Sequence, residues 1–186
     1  MPATTEAPES EETEAATKAA VFGAAERLFA LHGFQNVSVR DITAEAGVNL
    51  ASVNYHFGSK DALLFEIFRR RTGELNRERA RMLHEANDRH GGKPPVRDIL
   101  EALFAPPLRW ADPANDRRIS VQFIIRARSE GTAEMRDALQ NDVSHLARFA
   151  EFDRLHHLSG GLTREGDVQG LLKRMLDFAE AGFRTP

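Results

Sequence analysis

Between Ser38 and Lys60 the chain concentrates side chains suited to reading a flat, charged surface. Arg40 carries a planar, permanently charged guanidinium whose donors form a rigid fork. Asn49, Ser52, Asn54, Tyr55 and His56 add small or flat hydrogen-bonding groups close together in sequence. Leu50 and Ala51 offer only apolar contact. Lys60 brings an ammonium to the start of a further helix. Each has a plainer reading as well. Ser38 can serve as a helix cap alone, His56 can pack at a helix end, and Arg40 can pair on the surface with Asp41 or Glu45. Phe57 belongs to the core.

Short helices must position these groups. Ser38 with Asp41 three residues on is a capping box with Asp in place of Glu or Gln. It predicts a helix from Val39 to about Ala46, with Ile42 and Ala46 inward. Gly47 ends it at a position where a left-handed backbone is cheap. Asn49 caps the next helix, which reaches about Phe57 and turns Val48, Val53 and Phe57 inward. Two short helices joined tightly make a helix-turn-helix, whose second helix fits the major groove. The pattern alone also fits a small helical bundle that binds a protein partner and no DNA.

The flanking segments read as helices too. Val21, Phe22, Ala25, Leu28 and Phe29 form one apolar face, and Gly33 looks like its left-handed stop. Gly58 breaks the chain and Ser59 caps a long helix from Lys60 to about Asn87. Leu64, Phe68, Leu75 and Met82 line one side of it. Arg69, Arg70, Arg71, Arg77, Arg79 and Arg81 give the rest a charged surface. His90 to Pro95 is a connector. Helices are expected at about 95–105, 115–130, 132–151 and 165–183, punctuated by Pro106-Pro107 and Asp112-Pro113. The fold class is all-α: a three-helix, helix-turn-helix DNA-binding domain over 15–60 and a helical effector-binding and dimerisation domain over 61–186. Residues 1–14 read as a disordered acidic tail.

Composition limits the function classes. The 186 residues are 41% apolar and 28% charged, ordinary for a globular protein. Net charge is −3, but the first 14 residues hold five Glu and no Lys or Arg, which leaves +2 on the remainder. Bulk charge is therefore neutral on nucleic acid, and the motif must decide. There are no cysteines, hence no disulfide, thiolate metal site or thiol nucleophile. No signal peptide or apolar span is expected, which suits a cytoplasmic protein. His156-His157 with Asp153 nearby could suggest a metal site, but adjacent helical histidines point about 100° apart. No HExxH, P-loop, GxSxG or dinucleotide signature occurs, so neither an enzyme nor a cofactor is expected.

The string AAERLFALHGFQNVSVRDITAEAGVNLASVNYHFGSKDAL resembles the N-terminal domain of TetR-family regulators over about residues 17–68. The matching pieces are Ala24 to Phe29, Gly33-Phe34, Ser38 to Ile42, Ala46 to Val48, Tyr55 to Phe57 and Ser59 to Leu63. VNLASVNYHFGSK further resembles a subgroup that includes fatty-acid-sensing repressors. The resemblance implies a homodimeric, ligand-responsive repressor on a palindromic operator. It implies base contacts by Arg40, Leu50, Ala51 and Ser52, with Ser38 touching phosphate. Asn54, Tyr55 and His56 would grip the backbone or a base edge, and Lys60 a phosphate. Asn54 departs from the aromatic residue usual in many relatives. The resemblance also implies a dimer through the last two helices, which the wide apolar stripe from Val168 to Phe183 fits independently. Phe104, Trp110, Phe123, Ile124 and Arg126 are candidates for an effector pocket suited to an amphipathic acid, though each alone fits a plain core role. Phe149 to Gly161 looks compressed beside the family, which implies either a trimmed protein or, the favoured reading, residues missing from the sequence near 152–153 and 161–163.

Overall fold

The computed structural model describes residues 7–149, and among them every regular element is a helix. The order is α1 (Ala7–His32), α2 (Val39–Ala46), α3 (Leu50–Phe57), α4 (Lys60–Arg89), α5 (Val96–Ala111), α6 (Arg118–Glu130) and α7 (Ala133–Phe149). No described helix is long and apolar enough to cross a membrane. The predicted stripe at 168–183, the compressed segments and the His156-His157 pair lie outside the described residues.

The chain divides into two compact units. Among the described residues, one contains those up to Arg77 together with Pro106–Leu139; the other contains Glu78–Ala105 and those from Gln140 to Phe149. In the first unit, the apolar face of α1 buries Val21, Phe22, Ala25 and Phe29. Ile42 from α2, Val53 and Phe57 from α3, and Leu63, Leu64, Ile67 and Phe68 from α4 close on that face. From α6, Phe123 completes a three-ring cluster, its centroid 6.5 Å from Phe29 and 5.4 Å from Phe34. The three head helices therefore share one core with α6, and Lys60 is not a packing boundary. In the second unit, Leu83, Ile99, Ala102 and Leu103 are buried together, with Met82 and Phe104 against them.

Three expectations are corrected here. α1 begins at Ala7, inside the segment read as a disordered tail. Ala and Glu are good helix formers, and acids in the first turns oppose the positive end of the dipole. Farther along the same helix, Lys18 pairs with Glu66 at 3.4 Å and lies over the Phe57 ring.

The second correction concerns Pro106 and Pro107, which do not stop α5; the helix continues to Ala111. A proline removes one helical N–H, so Pro107 leaves the Leu103 carbonyl without its usual donor. Arg79 Nε donates to that carbonyl at 3.0 Å instead. Pro106 is fully buried, so apolar burial offsets part of the lost ladder.

Finally, Arg71 is not part of a charged surface. It forks onto the buried Glu26 of α1, with Nε to Oε1 at 2.7 Å and Nη2 to Oε2 at 2.6 Å.

Candidate nucleic-acid interface

The turn and caps that present α3 are built from local chemistry. Ser38 has extended backbone angles and accepts from the Asp41 N–H at 3.2 Å. Asp41 Oδ2 accepts from the Ser38 N–H at 2.8 Å and from its hydroxyl at 2.7 Å. These bonds to the charged form, the hydroxyl's first, hold the Asp41 carboxyl below its ordinary pKa. Gly47 closes α2 at φ 67°, ψ 31°. Its N–H and that of Val48 return to Ala44 O and Thr43 O at 3.3 and 3.0 Å, the paired bonds of a Schellman stop. Asn49 Oδ1 then accepts from the Ser52 N–H at 2.9 Å and caps α3. The connection from α2 to α3 is thus residues 47–49, as tight as a helix-turn-helix requires.

On α3, Val53 and Phe57 face the core, and the opposite face is open. Asn49, Leu50, Ala51, Asn54 and Tyr55 are exposed, Tyr55 at 75%, and Ser52 is half-buried. Arg40 on α2 is exposed, and its guanidinium makes no hydrogen bond or ion pair among the described residues. Both alternative partners are engaged elsewhere: Asp41 with Ser38, and Glu45 with Arg27 at 2.9 Å. Arg40, Asn49, Leu50, Ala51, Asn54, Tyr55 and Ser38 are thus all exposed on or beside the two short helices.

Two site residues stand differently from their sequence reading. The His56 side chain is only 7% exposed, and its Nδ1 lies 3.9 Å from Glu14 Oε1 of α1. It packs edge-on to Tyr55 and Phe57, which is the helix-end role. Lys60 is half-buried, with Nζ donating to Phe34 O at 3.0 Å and Val37 O at 3.1 Å. Two of its three donors are thereby used within the protein. Sequence reading missed this because the two carbonyls lie more than 20 residues away along the chain.

The candidate effector residues fall in different hydrophobic clusters. Phe104 packs with Leu83 and Ile99 in the second unit. Trp110 is buried with Leu75 and Val121, beneath the Arg117 guanidinium at 4.5 Å. Phe123 is fully buried in the ring cluster with Phe29 and Phe34. Ile124 borders both of these first-unit clusters. Arg126 turns to α1, donating to Ala30 O at 2.6 Å and Leu31 O at 3.0 Å. Phe123 and Arg126 sit three residues apart on α6, so one face of that helix points both at the head.

Residues 21–67 match the family model described as bacterial regulatory proteins, tetR family. A 68-residue stretch is 40% identical to the HTH-type transcriptional regulator BetI of Agrobacterium fabrum, covering 37% of this chain and 33% of that protein. The chain thus matches this curated relative over a third of the relative's length. The structure is similar to that of a candidate transcriptional regulator from Pseudomonas aeruginosa PAO1. That protein is 27% identical with a TM-score of 0.62, over 90% of this chain and 79% of that one. A candidate tetR family transcription regulator from Shewanella sp. PV-4, 23% identical, shares the fold at a TM-score of 0.57 over 90% and 89% of the two chains.

Proposed function

We propose that this chain, with its TetR-family head over residues 21–67, is a DNA-binding transcriptional regulator that acts as a ligand-responsive repressor. The observation that carries the reading is the capped, outward-facing α3 behind a three-residue turn, with Arg40 unpaired beside it. In this reading α3 enters the major groove, which admits a single helix. Arg40 forks onto a guanine, Leu50, Ala51 and Ser52 read the neighbouring base edges, and Ser38, Asn49, Asn54 and Tyr55 hold backbone or base-edge positions. Lys60 offers its remaining N–H to a phosphate. His56 supports the helix from within. The functional boundary between head and body falls near Lys60, although packing runs across it.

The working form is a homodimer in the cytoplasm, paired through the C-terminal helices whose apolar stripe spans Val168 to Phe183. Two identical heads call for a near-palindromic operator. The expected result is that the DNA upstream of the protein's own gene is retarded in a gel and footprinted over two symmetric half-sites. A single asymmetric half-site occupied by a monomer would overturn the dimer reading. No retardation of any fragment would favour the helical partner-binding alternative. The effector is a small apolar or amphipathic molecule, with long-chain fatty acids or their thioesters as first candidates from the subgroup resemblance. Such a ligand should shift the gel-shift midpoint by about 5- to 150-fold, the usual span of allosteric coupling. A panel of acyl compounds that leaves the midpoint unmoved removes this part.

Arg40→Ala should cost about 1–3 kcal/mol on the true operator and relax preference at one base pair per half-site. The fold should be unaffected, because the side chain is exposed and holds nothing in the protein. Affinities for operators mutated one base pair at a time check this. An equal loss on every sequence would reduce Arg40 to a phosphate contact.

A further inference from the structure

Phe34, in the turn from α1 to α2, is held at both of its backbone polar groups by charged side chains from two other helices. Its N–H donates to Glu130 Oε2 of α6 at 2.8 Å, and its carbonyl accepts from Lys60 Nζ of α4 at 3.0 Å. The same ammonium reaches Val37 O, on the residue just before the Ser38 cap. Behind Glu130 stands Arg126, donating to Glu130 Oε1 at 2.6 Å and to two carbonyls of the last turn of α1. Gly33 is shaped to this pair. Its φ is +89°, and a Cβ there would lie 2.8 Å from Glu130 Oε2 and 3.2 Å from Arg126 Nη1. An ordinary i,i+4 pair on a helix surface contributes little. This pair instead has backbone partners on another helix and turn.

We propose that Glu130 and Arg126 are positioning residues for Lys60 and for the Ser38 cap. The inference rests on the DNA-binding reading above. Glu130 fixes Phe34, and Phe34 fixes the ammonium of Lys60. An ammonium has three donors. With two committed to Phe34 O and Val37 O, the third has one direction left to point. Without Glu130 the turn loosens, and Lys60 regains the freedom of its four-carbon stem. A phosphate contact must then order that stem at an entropic cost.

The test uses the full chain with Glu130→Ala, Glu130→Gln, Lys60→Ala and the double variant of Glu130→Ala with Lys60→Ala. Binding to a random-sequence duplex is measured across salt concentrations. Glu130→Ala should weaken binding about tenfold, the order of the entropic cost of fixing a free lysine side chain. It should also lower the salt slope toward that of Lys60→Ala. The double variant should bind no worse than Lys60→Ala alone. Glu130→Gln keeps an acceptor for the Phe34 N–H and should recover most of the affinity. Amide exchange at Phe34 and Ser38 should quicken about tenfold in Glu130→Ala while Val53 is unchanged. Should Glu130→Ala fail to fold, Arg126→Gln takes its place, because it frees the carboxylate to leave Phe34. Additive losses in the double variant, an unchanged salt slope, or unaltered exchange at Phe34 overturns the proposal. If the wild type binds no duplex at all, the DNA-binding reading fails and exchange alone decides. Acceleration confined to Phe34 and Ser38 then supports the clamp, and uniform or absent acceleration overturns it.

Discussion

Arg71→Ala is expected to lower the unfolding free energy by about 3–5 kcal/mol, the cost of breaking a buried ion pair from one side. The reason is Glu26, which is 4% exposed on the buried face of α1. Its two carboxylate oxygens are met by the fork of Arg71, whose Nη1 also holds Glu74 at 2.9 Å. Burial works against the Arg71 charge, yet the hydrogen bonds and charges of Glu26 and then Glu74 outweigh it and raise its pKa. Without the guanidinium, Glu26 is left as an unpaired charge in a low dielectric, and Phe22 loses a cation 5.2 Å from its ring. Replacing both partners by apolar residues, Arg71→Met with Glu26→Leu, should cost far less than either half, because no charge is stranded. Urea unfolding checks this through the midpoint at constant slope. A loss under about 1 kcal/mol for Arg71→Ala would place the pair with ordinary surface bridges.

The neighbouring Glu74 adds a pH dependence to the same joint. Burial alone would raise its pKa, but the hydrogen bond and charge of Arg71, then Arg117 and Arg70, bring it below the ordinary 4.5. A carboxyl depressed on folding contributes stability above its unfolded pKa and loses it as pH falls through the folded value. The contribution of Glu74 is therefore complete at neutral pH and fades in acid, below its ordinary titration range.

What sequence made legible is local. The Ser38–Asp41 box, the left-handed Gly47, the Asn49 cap and the Ser59 cap each depend on residues within four positions, and the structure forms all of them. The apolar face of α1 and the inward set Ile42, Val53 and Phe57 follow from helical period, and they are buried, apart from the partly buried Leu28. What was not legible depends on distant partners. Nothing near Pro107 announces that Arg79, more than 20 residues away, serves the carbonyl that the proline strands. The run Arg69-Arg70-Arg71 reads as a solvated face until Glu26 is found across the α1–α4 contact. Phe123 and Arg126 have the composition of an amphipathic pocket, but composition does not say which way a helix face turns. Here that face meets the head, where Arg126 holds the α1 carboxyl end and Phe123 fills the ring cluster.

The same distinction governs Lys60, where an observed positioning role meets a proposed binding role. As an exposed lysine it would contribute little to the fold, which is how sequence alone presents it. The structure gives Nζ two backbone carbonyls, so Lys60→Ala should also cost about 1–3 kcal/mol of stability. On DNA, each head should lose one phosphate contact. Each contact contributes roughly 0.9 to the slope of log K against log salt, so a symmetric dimer should lose about 2 units. Binding to operator and to random duplex should weaken alike, because a phosphate carries no sequence. Between 50 and 200 mM salt, a slope smaller by 2 makes the decline in affinity about 16-fold shallower. Affinity is therefore measured on the fraction that remains folded, with unfolding curves taken in the same buffers. Lost base preference at an unchanged salt slope would move Lys60 among the residues that read sequence. Reduced stability with DNA binding untouched would leave it solely as the clasp of the Phe34–Val37 turn.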